Sequence, residues 1–323
     1  MSHEHDEHLD EPLWGLPPDL VIGPSADALP LVGEVNWGMD VIGVEYLRTI
    51  TDGEGFKIGG VDTGIDPDHP IIAPNFAKAK DHTRSSNGYL DANGHGSHIS
   101  GTIFGADPRI GVGAKFRGYH GKGLSNSGSG SMTDLLNAIE WCLSEGCTVV
   151  SNSWGGGTSI GSGTQNRLRE WAERGAWLIF AAGNSGGGTN QTDAPGNSEH
   201  VLNVAALSQN LSPASFTSAG AKIDTAGPGV NIWSARPDGG FQQMSGTSMA
   251  TPFVAGVLGL LRRAMEIKGV PIPNVYALRK QLAFSSTDVH TPGDDVRTGP
   301  GYATPALLRM LLEPRPLPIG GNP

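Results

Sequence analysis

Ser245-Gly246-Thr247-Ser248-Met249-Ala250-Thr251-Pro252 opens an apolar run that continues to Leu261, and the fold follows from how these residues are read. Gly246 permits a tight turn, Ser248 supplies a hydroxyl, and Pro252 suits the first turn of a helix, where its missing N–H costs nothing. From Phe253 to Leu261 almost every residue is Phe, Val, Ala, Gly or Leu, so the pattern predicts a helix that is apolar on all sides and fully buried. Such a helix aims its free N–H groups and the positive end of its dipole at Ser248. Taken alone, the stretch is also served by a Ser248 that only caps the helix. Two other stretches, each rich in glycine, supply an aspartate and a histidine.

The first is Phe56-Lys57-Ile58-Gly59-Gly60-Val61, a short strand pattern that ends on Asp62-Thr63-Gly64-Ile65-Asp66. In parallel α/β sheets ligand chemistry gathers beyond the carboxyl ends of strands, which makes Asp62 a candidate catalytic carboxylate. An Asx-turn is one alternative, and a magnesium site built from Asp62, Asp66 and Asp68 is another. The magnesium alternative lacks a glycine-rich Lys-Ser/Thr loop to cradle phosphate. The second stretch is Asp91-Ala92-Asn93-Gly94-His95-Gly96-Ser97-His98-Ile99-Ser100-Gly101-Thr102, where small residues around His95 imply a close approach. His95 and His98 are spaced to share a helix face as zinc ligands, but no Glu lies between them and no third ligand is evident. A neutral imidazole acting as general base toward a serine hydroxyl suits His95 better.

Val61-Asp62-Thr63-Gly64-Ile65-Asp66, Gly94-His95-Gly96-Ser97-His98-Ile99-Ser100-Gly101-Thr102 and Gly246-Thr247-Ser248-Met249-Ala250-Thr251-Pro252 together resemble the three signature blocks of the subtilisin-like serine proteases. The order Asp62, His95, Ser248 is that architecture's order, and the resemblance covers roughly residues 40 to 310. It implies an α/β fold of three layers, with a central, mostly parallel sheet flanked by helices. It also implies a serine endopeptidase: His95 takes the proton of Ser248, Asp62 orients His95, and water releases an acyl-enzyme. Ala181-Ala182-Gly183-Asn184-Ser185-Gly186 resembles the family's oxyanion-hole block, with the Asn184 amide and the Ser248 N–H as donors. Without the resemblance, Asn184 reads as a turn residue.

By the same resemblance, a peptide substrate in extended conformation pairs along Ser127, Gly128 and Ser129. Ser153, Trp154 and Gly155 form one wall of the primary specificity pocket, and Ala182 and Gly183 the other. The bulk of Trp154 either narrows that pocket or turns into the core. Two alternatives share these residues: a peptide ligase or macrocyclase, in which an amine replaces water, and a non-catalytic peptide-binding protein.

The chemistry requires no cofactor. Relatives often bind structural calcium through an acidic residue after a His-Pro pair, whereas here His69-Pro70 is followed by Ile71, and the loop from Phe104 to Ile110 is short. The resemblance therefore implies that this calcium site is absent, with Asp66, Asp68, Asp81 and Asp91 as unplaced oxygen donors. His3, His5 and His8 form a terminal cluster that reads as solvated, with metal binding as the alternative.

A chain of 323 residues is long enough for one large core, and its 48 glycines fall between apolar runs without forming a low-complexity block. A net charge of -10 argues against a nucleic-acid partner, and no apolar run approaches membrane-spanning length. The acidic N-terminus does not resemble a signal peptide, and Cys142 and Cys147 make no disulfide framework, so a cytoplasmic location is expected. The organisation expected is an N-terminal extension over residues 1–39 without a full prodomain, a peptidase domain over 40–313, and a proline-rich tail over 314–323. Intracellular relatives lay a short extension across the active site, and by that resemblance the arm bearing Leu16-Pro17-Pro18 reads either as a self-inhibiting segment of the same kind or as a plain flexible tail. Periodicity predicts helices over 36–50, 131–144, 164–174, 275–283 and from Thr304, and strands over 56–61, 148–154, 177–182 and 201–206.

Overall fold

The computed structural model describes residues 13–17, 20–28, 36–188, 192–303 and 312. The N-terminal part contains β1 (Trp14–Gly15), β2 (Val21–Ala26), α1 (Gly38–Val41), α2 (Val44–Arg48), β3 (Lys57–Asp62), β4 (Phe76–Asp81) and α3 (His95–Phe104). Then follow β5 (Arg117–Lys122), β6 (Ser129–Gly130), α4 (Met132–Ser144), β7 (Val149–Asn152), α5 (Ser162–Glu173), β8 (Trp177–Ala181) and β9 (Leu202–Leu207). The C-terminal part contains β10 (Thr225–Pro228), β11 (Ile232–Ala235), β12 (Phe241–Ser245), α6 (Thr247–Lys268) and α7 (Val275–Ser285).

One sheet of seven strands runs in the order β10-β9-β8-β7-β3-β5-β4, and every pairing in it is parallel. Strands such as Trp177-Leu178-Ile179-Phe180-Ala181 are buried along their whole length, as a parallel sheet covered on both faces requires. Alternate residues divide between two cores. Val149 and Ile179 pack with α3 and α6, while Val150, Leu178 and Phe180 pack with α4 and α5. The result is three layers, helices on both sides of a sheet. From β3 the chain builds outward in both directions, which opens a crevice at the carboxyl ends of β3 and β7.

Helix α6 is buried from Thr247 through Leu261, as its uniform apolarity predicts. It continues past Arg262 and Arg263. The Arg262 guanidinium donates from Nη1 to Gly175 O at 2.8 Å and lies over the Trp177 ring, which offsets part of the cost of a charge at the edge of the core. Gly269, at φ 66°, ends the helix in the left-handed region.

The helix expected over 36–50 is instead two short ones, because Gly43 at φ 76° breaks it between α1 and α2. The other expected elements among the described residues differ only at their ends, as where β7 stops at Asn152 and α5 begins at Ser162, whereas α3 and the strands β1, β2, β4, β5, β6, β10, β11 and β12 are not among the elements expected from periodicity. Cys142 and Cys147 are free and buried. The helix expected from Thr304, the His3, His5 and His8 cluster, Pro18 and the 314–323 tail lie outside the described residues. Among the described residues no helix is long and apolar enough to cross a membrane.

Candidate active site

Asp62 ends β3, and its fully buried Oδ1 accepts hydrogen bonds from Thr63 N at 2.8 Å and His95 Nδ1 at 2.7 Å. A carboxylate there can only accept, so His95 carries its proton on Nδ1 and presents Nε2 as a bare acceptor. Nε2 is buried and has no partner among the described residues.

His95 is held in place by the start of α3. Asp91 Oδ1 accepts from Asn93 N, Gly94 N and Thr63 Oγ1, and its Oδ2 accepts from Ser97 N at 2.8 Å. Thr63 Oγ1 in turn accepts from Gly96 N at 3.0 Å. This network ties the exit of β3 to the first turn of α3. Gly96 is required there, because a Cβ would stand 2.1 Å from Gly64 O. Asp91, named above only as an unplaced oxygen donor, thus caps the helix that carries His95.

The sequence-adjacent charges are kept out of the way. His98 Nε2 faces Ile232 O at 3.0 Å and Gln242 O at 3.2 Å, so this ring is engaged with backbone instead of forming a metal pair with His95. Burial holds its pKa down to about 3. His120 Nδ1 meets Ser100 Oγ at 3.0 Å, and burial lowers its pKa to about 4. Lys122 ends β5 buried, its Nζ donating to Thr63 O and, at 2.9 Å, to Asn126 Oδ1. Burial lowers its pKa against the pull of Asp91, Asp81 and Asp62. Of the remaining acids, Asp66 Oδ1 accepts from Asp68 N, and Asp81 Oδ1 accepts from Thr83 N and Oγ1. Among the described residues no group of three or more His, Cys, Asp or Glu is arranged to hold a metal ion.

Ser248 enters from α6. Gly246 occupies the cap position without a side-chain cap bond, so Ser248 is not the cap but lies in the first turn. Its Oγ donates to Ser153 O at 3.2 Å, and Ser153 Oγ donates to Ser248 O at 2.9 Å. Pro252 lies one turn further in than expected. Its missing N–H is the one that would bond to Ser248 O, and Ser153 supplies the replacement.

Asn184 completes the constellation. Its Oδ1 accepts from Thr247 N and Thr247 Oγ1, each at 2.9 Å, and Thr247 Oγ1 also accepts from Gly183 N at 3.2 Å. These bonds fix the amide so that Nδ2 points toward Gly246, where a Cβ would stand 3.2 Å away. Nδ2 is buried and unpartnered. Leaving a buried donor unmet costs about 1–3 kcal/mol, so a group kept this way needs a reason.

Residues 53–301 match a family model described as the subtilase family. The chain belongs to the subtilase family. It is 34% identical over 277 residues to a subtilisin-like protease 1 of Arthroderma otae, covering 81% of this chain but only 55% of that protein. Thermitase of Thermoactinomyces vulgaris is 34% identical over 242 residues, 72% of this chain and 84% of thermitase. Subtilisin DY of Bacillus licheniformis is 31% identical over 258 residues, 77% of this chain and 89% of that protein.

In this subtilase the N-terminal arm lies in the groove beside Ser248. Trp14 and Gly15 pair antiparallel with Gly130 and Ser129. On the other side Gly15 N donates to Gly155 O at 3.2 Å, and Gly155 N donates to Gly15 O at 3.0 Å. Leu16 N then donates to Gly128 O at 3.0 Å, and Leu20 Cδ1 lies 3.3 Å from where a Gly246 Cβ would be. The stretch expected to pair with extended peptide, and Gly155 of the expected pocket wall, are thus paired with the chain's own arm. The Trp154 ring is fully buried, edge-on to Phe180 with centroids 5.0 Å apart, so its bulk is turned into packing.

Proposed function

We propose that this chain is a serine endopeptidase in which Asp62, His95 and Ser248 form the catalytic triad. The observation that carries the reading is a pair of buried, unpartnered groups: His95 Nε2, an acceptor, and Asn184 Nδ2, a donor held at the Gly246 turn that leads into Ser248. These are the groups that proton abstraction and oxyanion binding need, and each is held by its own support, Asp62 or Thr247.

In the first step the Ser248 hydroxyl rotates from Ser153 O to His95 Nε2. Its oxygen attacks the peptide carbonyl carbon as the proton passes to Nε2. The carbonyl oxygen takes the negative charge and is held by Asn184 Nδ2 and by Ser248 N–H, a first-turn donor with no carbonyl behind it. Asp62 stabilises the imidazolium. His95 then gives the proton to the departing amine, and water, activated by the same Nε2, frees the acyl group from Ser248. No step calls for a metal or organic cofactor.

The N-terminal arm acts as a built-in inhibitor in this proposal. Its support is the two-sided backbone pairing of Gly15, which fills the edges an extended peptide would use. The test of the main reading is digestion of a mixed peptide library by the native chain and by Ser248→Ala, read by mass spectrometry. Cleavage present in the first and absent in the second is expected. Products longer than the input peptides would identify ligation, and peptide retained intact by both proteins would identify a binding protein.

A further inference from the structure

Asp193 carries a carboxylate that the chemistry above does not use. The segment bearing it crosses beyond the ends of β7 and β8: Asp193 N donates to Ala182 O at 2.9 Å, Ala194 N to Gly157 O at 3.2 Å, and Gly156 N to Ala194 O at 3.0 Å. Its side chain stands between the two strand exits. A Cβ added to Gly183 would lie 2.6 Å from the Asp193 carboxyl carbon, and one added to Gly155 would lie 3.0 Å from Asp193 Cβ. Because both flanking positions are glycine, neither places a side chain over the carboxylate.

The Asp193 side chain adjoins residues next to the reacting atoms on both sides. Asn184 follows Gly183 directly, and Ser153, just ahead of Gly155, exchanges hydrogen bonds with Ser248. Among the described residues no hydrogen bond or ion pair reaches the Asp193 carboxylate. Burial alone pushes its pKa up to about 6, with no neighbouring charge opposing it. At neutral pH the group is therefore ionised, partly buried and without a cation, an arrangement that favours whatever brings one.

The geometry points to Asp193 as a specificity-determining residue: it receives a lysine or arginine side chain from the substrate residue whose carbonyl Ser248 attacks, inserted between Gly155 and Gly183. This deepens the endopeptidase reading and rests on it. An uncharged side chain in the same place leaves the carboxylate buried and unpaired, so discrimination has both an attractive and a repulsive part. A hydrogen-bonded charge pair in such a setting separates cationic from neutral substrates by about 10- to 100-fold. The arm residues Leu13-Trp14-Gly15-Leu16-Pro17 offer no cation. They occupy the backbone edges without satisfying Asp193, as suits a segment that covers the site and is not its preferred substrate.

The test compares kcat/KM for peptides identical except for arginine, lysine, citrulline or methionine at that position. The enzymes are full-length chains: native, Asp193→Asn, Asp193→Ser and Asp193→Glu, each also in a Gly15→Val background that loosens the arm. A small fluorophosphonate with no basic group, which labels Ser248, reports whether each variant keeps a folded site. The native chain is expected to favour arginine over citrulline by about 10- to 100-fold, with either neutral variant narrowing this to about threefold and Asp193→Glu retaining most of it. Rates on methionine peptides should not fall in the neutral variants. Equal rates on arginine and citrulline in the native chain, or a preference that survives in a labelled neutral variant, overturn the inference and leave the endopeptidase reading standing. If no chain cuts any peptide, the endopeptidase reading itself has failed, and the inference falls with it.

Discussion

Ser153 and Ser248 exchange hydrogen bonds, each hydroxyl donating to the other residue's carbonyl, at 2.9 Å from Ser153 and 3.2 Å from Ser248. The exchange joins the exit of β7 to the first turn of α6. It also repairs a defect written into the sequence, because Pro252 cannot donate to Ser248 O. Removing the Ser153 hydroxyl leaves that buried carbonyl without its partner.

Ser153→Ala is therefore expected to lower stability by about 1 kcal/mol, the net worth of one such bond with its acceptor left unmet. Urea unfolding of the two proteins at equal m-value measures it. Activity should fall with it, since the same bond fixes the height of Ser248 in the groove. Unchanged midpoints would mean that Ser248 O finds another donor.

Asn184→Ala removes the orphaned donor that faces Gly246. The expected result is a loss in kcat of roughly 100- to 1000-fold with KM little altered, a magnitude set by the corresponding asparagine of a subtilisin. Because Asn184 Oδ1 also accepts from Thr247, stability will fall slightly. Rapid labelling of Ser248 by a fluorophosphonate, checked alongside peptide turnover, separates a lost oxyanion donor from a displaced serine.

The residues proposed for the chemistry were legible because each sits in a setting that ordinary structure does not demand. Glycine on both sides of His95 and small residues leading into Ser248 serve close approach, and that requirement is visible in a string of letters. Asp193 was not legible. It lies between Thr192 and Ala194 with no periodic or glycine signal of its own, and its meaning comes from Gly155 and Gly183, which the sheet brings together from separate stretches. Thr247 was likewise quoted only as part of a motif, although it is the group that aims Asn184. The arm's pairing was out of reach for another reason: β1 has two residues, so its register is set by its neighbours and not by any pattern of its own. The single helix expected over 36–50 failed because the apolar spacing of Val41, Val44 and Leu47 runs through Gly43, whose backbone does not.

Acid sensitivity follows from two of the buried histidines, His98 and His120. The pKa of His98 is lowered from 6.5 to about 3 and that of His120 from 6.5 to about 4, both chiefly by burial. Each is thus neutral in the folded chain where its unfolded form would bind a proton. The stability they contribute is complete well above pH 6.5 and drains away as pH falls through 6, toward 4 for His120 and toward 3 for His98. His120→Gln should flatten the stability profile in that window by up to about 1.4 kcal/mol per pH unit, whatever it does to stability at pH 7. Urea titrations at several pH values read the slope directly, and an unchanged slope would assign the acid lability to other groups.

The arm is tested at Gly15. Its Cβ position is 2.8 Å from Gly128 O, a backbone atom that cannot step aside without disturbing the β1–β6 pairing. Gly15→Val therefore forces the arm out of the groove while leaving the residues proposed for catalysis untouched. If the arm inhibits, the substituted chain turns over small peptides faster than the native chain at low substrate, and the gap narrows as substrate rises, because arm and peptide compete for the same edges at Gly128, Ser129 and Gly155. Addition in trans of a peptide carrying Leu13 to Leu16 should then restore inhibition only weakly, since the native arm acts at the effective concentration of a tethered segment, of the order of millimolar. Equal rates for the two chains at every substrate concentration would show that the arm covers the groove without governing access to it.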